Sequence, residues 1–156
     1  MRLALPLILL LVATGCDSSD DALRLDNDFY VGTWELLSVT DGSGDQTDFV
    51  NGIVDDFAIS FEQDRGFRLD ADFNDFVNLL QDDVEVEGTY EAQPNIPALV
   101  LIAEVDGTAL APSFQTSTTS EQQVSLTAPA EIVRGLLGGS DLLPFTGDVT
   151  LTVQRR

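Results

Sequence analysis

The chain of 156 residues contains no histidine, and its seven basic residues are all arginines. Without histidine, neither a Ser-His-Asp nor a Cys-His catalytic arrangement can form, and imidazole metal ligands are absent. The sequence also lacks a glycine-rich phosphate loop and a dinucleotide-binding fingerprint. A pair of carboxylates, as glycosidases use, remains open in principle, but 27 acidic residues give no means of selecting the pair. We therefore expect a protein that is not an enzyme and needs no cofactor.

Acidic residues outnumber basic ones by 27 to 7, so the formal net charge is −20. Nucleic acid is excluded as a partner, because phosphate recognition needs clustered Arg or Lys side chains. Self-repulsion of this size destabilises a compact state at low salt and is screened at high salt. An acidic, lysine-free composition resembles that of proteins from salt-loving bacteria. The alternative is an ordinary acidic surface that keeps the protein in solution.

Cys16 is the only cysteine, and it ends an apolar segment that begins at Met1. One basic residue, Arg2, is followed by a leucine-rich run and then by small residues, a pattern typical of a secretory signal too short to span a bilayer. A lone cysteine can also be a free thiol, half of an intermolecular disulfide or a small buried residue. Its place at the end of the apolar segment argues against these alternatives.

The sequence Ala13-Thr14-Gly15-Cys16 resembles the lipobox of bacterial lipoproteins. The resemblance implies that residues 1–15 are a removed signal peptide and that Cys16 carries lipid, which attaches the protein to a membrane. Several acyl chains, as lipoproteins carry, anchor durably where one anchors only marginally. Ordinary cleaved secretion and a retained anchor are the alternatives. The implied location is the cell envelope, at the outer membrane or facing the periplasm. Asp17 directly after the cysteine resembles an inner-membrane retention signal of enteric bacteria. That signal is not general among bacteria, so it does not show which membrane holds the protein.

The remaining chain divides into a tether and a domain. Residues 16–28 include Asp17-Ser18-Ser19-Asp20-Asp21, which has no apolar residue to bury and predicts a flexible tether. Residues 29–156 suffice for one domain with a single hydrophobic core. No internal repeat is visible, and we expect a monomer.

From Phe29 onward, apolar and polar residues alternate as in half-buried strands. The alternation predicts strands over 31–39, 57–62, 67–71, 84–91, 98–105, 113–118, 122–127 and 147–155. The second and third strands are joined by Gln63-Asp64-Arg65-Gly66, a hairpin turn in which we expect Gly66 to be left-handed.

Two segments interrupt the alternation and predict short helices. Residues 75–80 suggest a helical turn capped by Asn74 or Asp72. Residues 130–137 follow Pro129 and precede two glycines, the usual start and stop of a helix. Together the elements predict an all-β fold, an antiparallel up-and-down barrel of about eight strands with one or two short helices. A β-sandwich is the alternative.

Gly32-Thr33-Trp34 on the first strand and Arg155 on the last resemble the lipocalin signature. In that superfamily the tryptophan closes one end of the barrel beneath an arginine of the final strand, so Gly32, Trp34 and Arg155 are the implied closure residues. An inward-facing arginine needs a partner, and an indole face would supply one. Gly88-Thr89-Tyr90 adds a likeness to small lipocalin-like domains of bacterial lipoproteins. The disulfide common in large secreted lipocalins cannot form here.

An eight-stranded barrel either holds one small ligand or is filled by its own side chains. The inward residues that would contact a ligand are Phe57, Phe61, Phe67, Tyr90 and Leu101. For each of them, core packing is the alternative. The resemblance therefore implies a lipid-anchored envelope protein that binds a small apolar or amphipathic molecule. The alternative function is a non-enzymatic scaffold or protein-interaction module with a filled barrel.

Asp70, Asp72 and Asn74 have the opening spacing of a calcium loop. The sixth position, however, is Asp75 instead of glycine, and the twelfth is Gln81 instead of glutamate. In so acidic a chain, chance spacing is the better explanation, so no metal site is predicted.

Overall fold

The computed structural model describes residues 24–78, 82–93, 95–105, 107–137 and 142–156. The strands are β1 (Gly32–Asp41), β2 (Gly44–Asp45), β3 (Val54–Phe61), β4 (Gly66–Phe73), β5 (Val84–Gln93), β6 (Ala98–Val105), β7 (Thr108–Leu110), β8 (Ser113–Ser120), β9 (Gln123–Pro129) and β10 (Asp148–Arg155). Three short helices, α1 (Asn27–Tyr30), α2 (Thr47–Asn51) and α3 (Ala130–Leu136), accompany them. Cys16, the predicted signal peptide and most of the predicted tether lie outside the described residues.

Eight strands close into a barrel in the order β1, β3, β4, β5, β6, β8, β9 and β10, and β10 pairs back with β1. Every neighbouring pair is antiparallel. The alternation seen in the sequence sorts side chains to the two faces of each strand. The predicted up-and-down, lipocalin-like barrel is therefore confirmed, with three helices in place of one or two.

The two ends of the barrel differ. What we call the closed end contains α1, the β3–β4 turn and the carboxyl end of β10, whereas the open end contains α2, α3 and the connection from β4 to β5. The chain enters at the closed end, where Leu25 is already part of the core. The described fold thus begins four residues before the predicted domain boundary at residue 29.

The predicted β3–β4 hairpin is confirmed, but the expectation for its glycine is wrong. Arg65, with φ of 71°, is the left-handed residue. The Arg65 N–H donates to the Glu62 carbonyl (3.1 Å) and the Glu62 N–H donates to the Gly66 carbonyl (2.8 Å). This pattern is a turn followed by a one-residue bulge, and the left-handed position of such a turn falls one residue earlier than predicted.

The helix predicted at residues 130–137 is confirmed as α3, whereas residues 75–78, the described part of the segment predicted at 75–80, form a turn. α3 begins directly after Pro129. In the earlier segment, the Val77 N–H donates to Asn74 Oδ1 at 3.0 Å, so Asn74 is the capping residue of a turn. Residues 79–81 lie outside the described part of the chain.

Candidate functional site

Trp34 and Arg155 lie directly opposite each other on β1 and β10. The Arg155 guanidinium carbon is 4.7 Å from the centre of the indole ring and 5.8 Å from that of Phe29. Trp34 is fully buried, and its Nε1–H donates to the Tyr30 carbonyl at 2.6 Å. Arg155 also donates through Nη2 to the Phe29 carbonyl. Gly32, two residues before Trp34, has φ of 127°, a conformation that favours glycine.

α1 extends this closure across the barrel end. Asp26 caps the helix by accepting from the Phe29 N–H at 3.2 Å. Asn27 Oδ1 accepts from the Ala92 N–H on β5 at 2.8 Å. The sequence-based prediction missed α1, although the Asp26-to-Phe29 capping spacing was a usable signal. The last residues of the predicted tether, which include Asp26 and Asn27, are therefore held in the fold by specific hydrogen bonds.

Three of the five predicted ligand-contacting residues form an aromatic cluster at this closed end. The Phe61 ring centre is 4.8 Å from that of Tyr90 and 6.5 Å from that of Phe67, and all three side chains are buried. The single proton of the Tyr90 hydroxyl is shared between the Asn27 and Glu62 carbonyl oxygens, each 3.1 Å from the hydroxyl oxygen. Burial, reinforced by the nearby Asp28 carboxylate, raises the pKa of Tyr90, so its hydroxyl remains a neutral donor.

The other two predicted ligand-contacting residues, Phe57 and Leu101, line the half of the interior nearer the open end. α3 fills this half, where Val133, Leu136 and Leu137 pack among strand residues that include Phe114. The free space left between them is about 10 Å³. That volume is near the minimum for one water molecule, whereas small-molecule sites measure roughly 300–1,000 Å³. This part of the interior is therefore filled by side chains.

The residues with calcium-loop spacing do not form a loop. Asp70 and Asp72 lie on β4, and the Arg68 Nε–H donates to both carboxylate oxygens of Asp70, at 2.9 and 3.0 Å. This ion pair raises the pKa of Arg68. Asn74 is also engaged, because its Nδ2–H donates to the Gly52 carbonyl at 2.6 Å. In the described ranges, no group of three His, Cys, Asp or Glu side chains is placed to hold a metal ion.

A groove of about 190 Å³ lies at the open end, between α3 and the segment that joins β7 to β8. Its walls are mainly apolar, with Leu110 and Pro112 on one side and Ile132 and Leu136 on the other. Leu136 also lines the filled interior, so this side chain separates the groove from the barrel centre. Neither β7 nor the groove was predicted from the sequence.

The two ends of the barrel differ in charge. Each end is taken as its described loops and helices together with the two outermost residues of each barrel strand. The closed end has four arginines and five carboxylates, and the open end has one arginine and twelve carboxylates. The four arginines are Arg24, Arg65, Arg155 and Arg156, and the single one is Arg134. The twelve carboxylates are Asp41, Asp45, Asp48, Asp55, Asp72, Asp75, Asp82, Asp83, Glu85, Glu104, Glu131 and Asp148. The open end is thus strongly acidic and the closed end nearly neutral.

Comparison with models of known protein families and with curated proteins finds no match to this chain. Across the described ranges, no helix has the length and apolar character needed to cross a bilayer. What the chain does is therefore inferred from its own residues.

Proposed function

We propose that the chain is a cell-envelope lipoprotein whose lipocalin-like barrel acts as a non-enzymatic scaffold or protein-interaction module. The free space of about 10 Å³ beside α3 carries this proposal. A carrier of a small apolar molecule needs a site more than tenfold larger. A filled barrel offers its outer surface and its loops for binding instead.

In this proposal, lipid on Cys16 attaches the protein to its membrane. A chain with net charge −20 gains nothing from an anionic lipid surface, so attachment depends on the lipid. Arg24 follows Cys16 by eight residues, which reach at most about 28 Å when extended. Because the chain joins the barrel at the closed end, we expect this end to lie nearer the bilayer and the acidic open end to point away from it. Four of the described arginines lie on that near side, consistent with this orientation.

Metabolic labelling with palmitate tests the anchor. We expect the wild-type chain, expressed in a bacterium, to take up label and to sediment with membranes. The variant Cys16→Ser should lose both properties because no other cysteine is present. Ala13→Leu is the matched control and should keep both. Label on the Cys16→Ser protein would show that the assigned lipidation site is wrong.

Titration with the neutral fluorescent dye N-phenyl-1-naphthylamine tests the filled interior. We expect no saturable binding to the wild-type protein. Phe114→Ala removes a ring that is 2% exposed and lines the interior, so it should open a cavity that takes up benzene but is too small for the dye. Saturable binding by the wild type, abolished by a bulkier side chain at Leu101, would support a ligand carrier and contradict the filled barrel.

One observation favours a second function, the binding of a small apolar molecule inside the barrel. The side chains around the interior space near α3 are all apolar, as such a ligand requires. For a ligand to enter, α3 would have to leave the interior and expose Phe57 and Leu101. The same dye titration distinguishes the two functions.

A further inference from the structure

We propose that the groove beside α3 is a docking site for one apolar side chain carried by a basic segment of a protein partner. The proposal deepens the proposed function and rests on it in one respect, the expectation that the open end faces away from the membrane. The groove itself belongs to the folded domain and can be tested without the lipid.

The shape of the groove suits a single apolar side chain. Its volume of about 190 Å³ is below that of a typical small-molecule site. Leu110, Pro112, Ile132 and Leu136 supply apolar walls. Gly135 forms part of its surface, and a Cβ atom built at this position meets no atom within 4 Å. Any larger residue at position 135 would occupy the space, so the glycine leaves the groove open.

The charge around the groove favours a basic partner. Glu131 lines the groove, and the open end as a whole holds twelve carboxylates against one arginine, Arg134, which lies on α3 next to Gly135. Complementary charge accelerates association and disfavours partners of the same sign. An apolar residue flanked by lysines or arginines therefore matches both the groove and its surroundings.

The segment that directly follows α3 does not suit the groove. Residues 138–141, which follow α3, are Gly-Gly-Ser-Asp and bring no large apolar side chain. The lipid of Cys16 is expected in the bilayer, and its several acyl chains together exceed a groove that fits one side chain. A partner molecule is thus the fitting occupant.

Nuclear magnetic resonance titration of the chain from Asp17 onward tests the proposal. This chain contains the whole core, which runs from Leu25 to Val153. The probe is a five-residue peptide with a central leucine flanked by two lysines on each side, at about 0.15 M salt. One matched peptide has glycine at the centre, and the other has glutamates at the flanks. We expect amide shifts confined to Leu110, Ala111 and residues 131–136, and affinity about tenfold higher for the leucine–lysine peptide than for either matched peptide.

Variants of the protein distinguish binding in the groove from general attraction between opposite charges. Gly135→Leu fills the groove and should lower affinity about tenfold, and Glu131→Gln should lower it less. Ile96→Ser removes a 66% exposed apolar residue near the closed end and should leave affinity unchanged. The proposal is overturned if Gly135→Leu, still folded, binds like the wild type, if the glycine-centred peptide binds equally well, or if the shifts lie elsewhere. Each of these results would leave the lipid anchor untouched, and failure of Cys16 labelling would leave the groove untouched.

Discussion

Trp34 joins three parts of the closed end through one side chain. Its ring lies against Arg155 of β10, packs 5.7 Å from the Phe29 ring and hydrogen-bonds to the Tyr30 carbonyl. We expect Trp34→Ala to lower the free energy of unfolding by about 3–5 kcal/mol, because it leaves a large cavity. Urea unfolding measures this loss. Leu37→Ala, at a 41% exposed position on the same strand, is the control, and a loss below about 1 kcal/mol for Trp34→Ala would contradict the closure.

Asp41 fixes the turn after β1 through its carboxylate. Ser43 donates to Oδ1 from its hydroxyl at 2.7 Å and from its N–H at 2.8 Å, and the Thr146 N–H donates to Oδ2 at 2.8 Å. These bonds, the Ser43 hydroxyl first, hold the pKa of Asp41 well below its ordinary range. A carboxylate with a lowered folded-state pKa stabilises the fold above the unfolded pKa of about 3.9, and the stabilisation is lost as pH falls below that value.

The pH dependence of the Asp41→Asn variant tests this role. We expect the melting temperature of the variant to lie below that of the wild type near pH 7, and the gap to shrink as pH falls below about 4. The difference between the two melting temperatures is the quantity to follow, because acid also reduces the self-repulsion of both proteins. A gap that stays constant from pH 7 to pH 3 would mean that the carboxylate charge does not stabilise this turn.

At the scale of elements, two glycines in different surroundings should respond oppositely to alanine. Gly135 in α3 has open space around its Cβ position, so Gly135→Ala should raise stability by up to about 1 kcal/mol through helix propensity. On β5, a Cβ at Gly88 would lie 2.0 Å from the Ile102 carbonyl oxygen and 2.8 Å from the Phe67 ring. Gly88→Ala should therefore cost about 1–3 kcal/mol. Calorimetry of both variants checks the pair, and equal effects would contradict the packing described around β5 and α3.

The barrel strands were predictable because two-residue alternation runs through most of their length, and through the whole of β4 and β5. α1, α2 and β7 have five residues or fewer, too short to show a period, and contacts with neighbouring elements hold them. In α2, for example, the Thr47 hydroxyl accepts from the Val39 N–H at 3.0 Å. The Trp34–Arg155 arrangement was anticipated from a family resemblance. The filled interior was not predictable, because it depends on how deeply Val133 and Leu136 of α3 enter the barrel.

At the scale of the whole molecule, net charge dominates the response to salt. The described residues form few salt bridges that added salt would weaken. Those of Arg68 are substantially exposed, so screening them costs little stability. We expect the melting temperature of the chain from Asp17 onward to rise as sodium chloride increases from about 0.1 M to above 1 M, where the screening length falls from about 10 to 3 Å. A flat or falling melting temperature over this range would contradict the expected adaptation to salt.

Native mass spectrometry tests most directly whether the barrel is filled by its own side chains. The chain from Asp17 onward would be purified in high salt and weighed before and after extraction with an organic solvent. The filled interior predicts the same mass in both samples, equal to that of the polypeptide alone. An additional apolar mass that disappears on extraction would show that the barrel carries a ligand and would contradict a function confined to its surface.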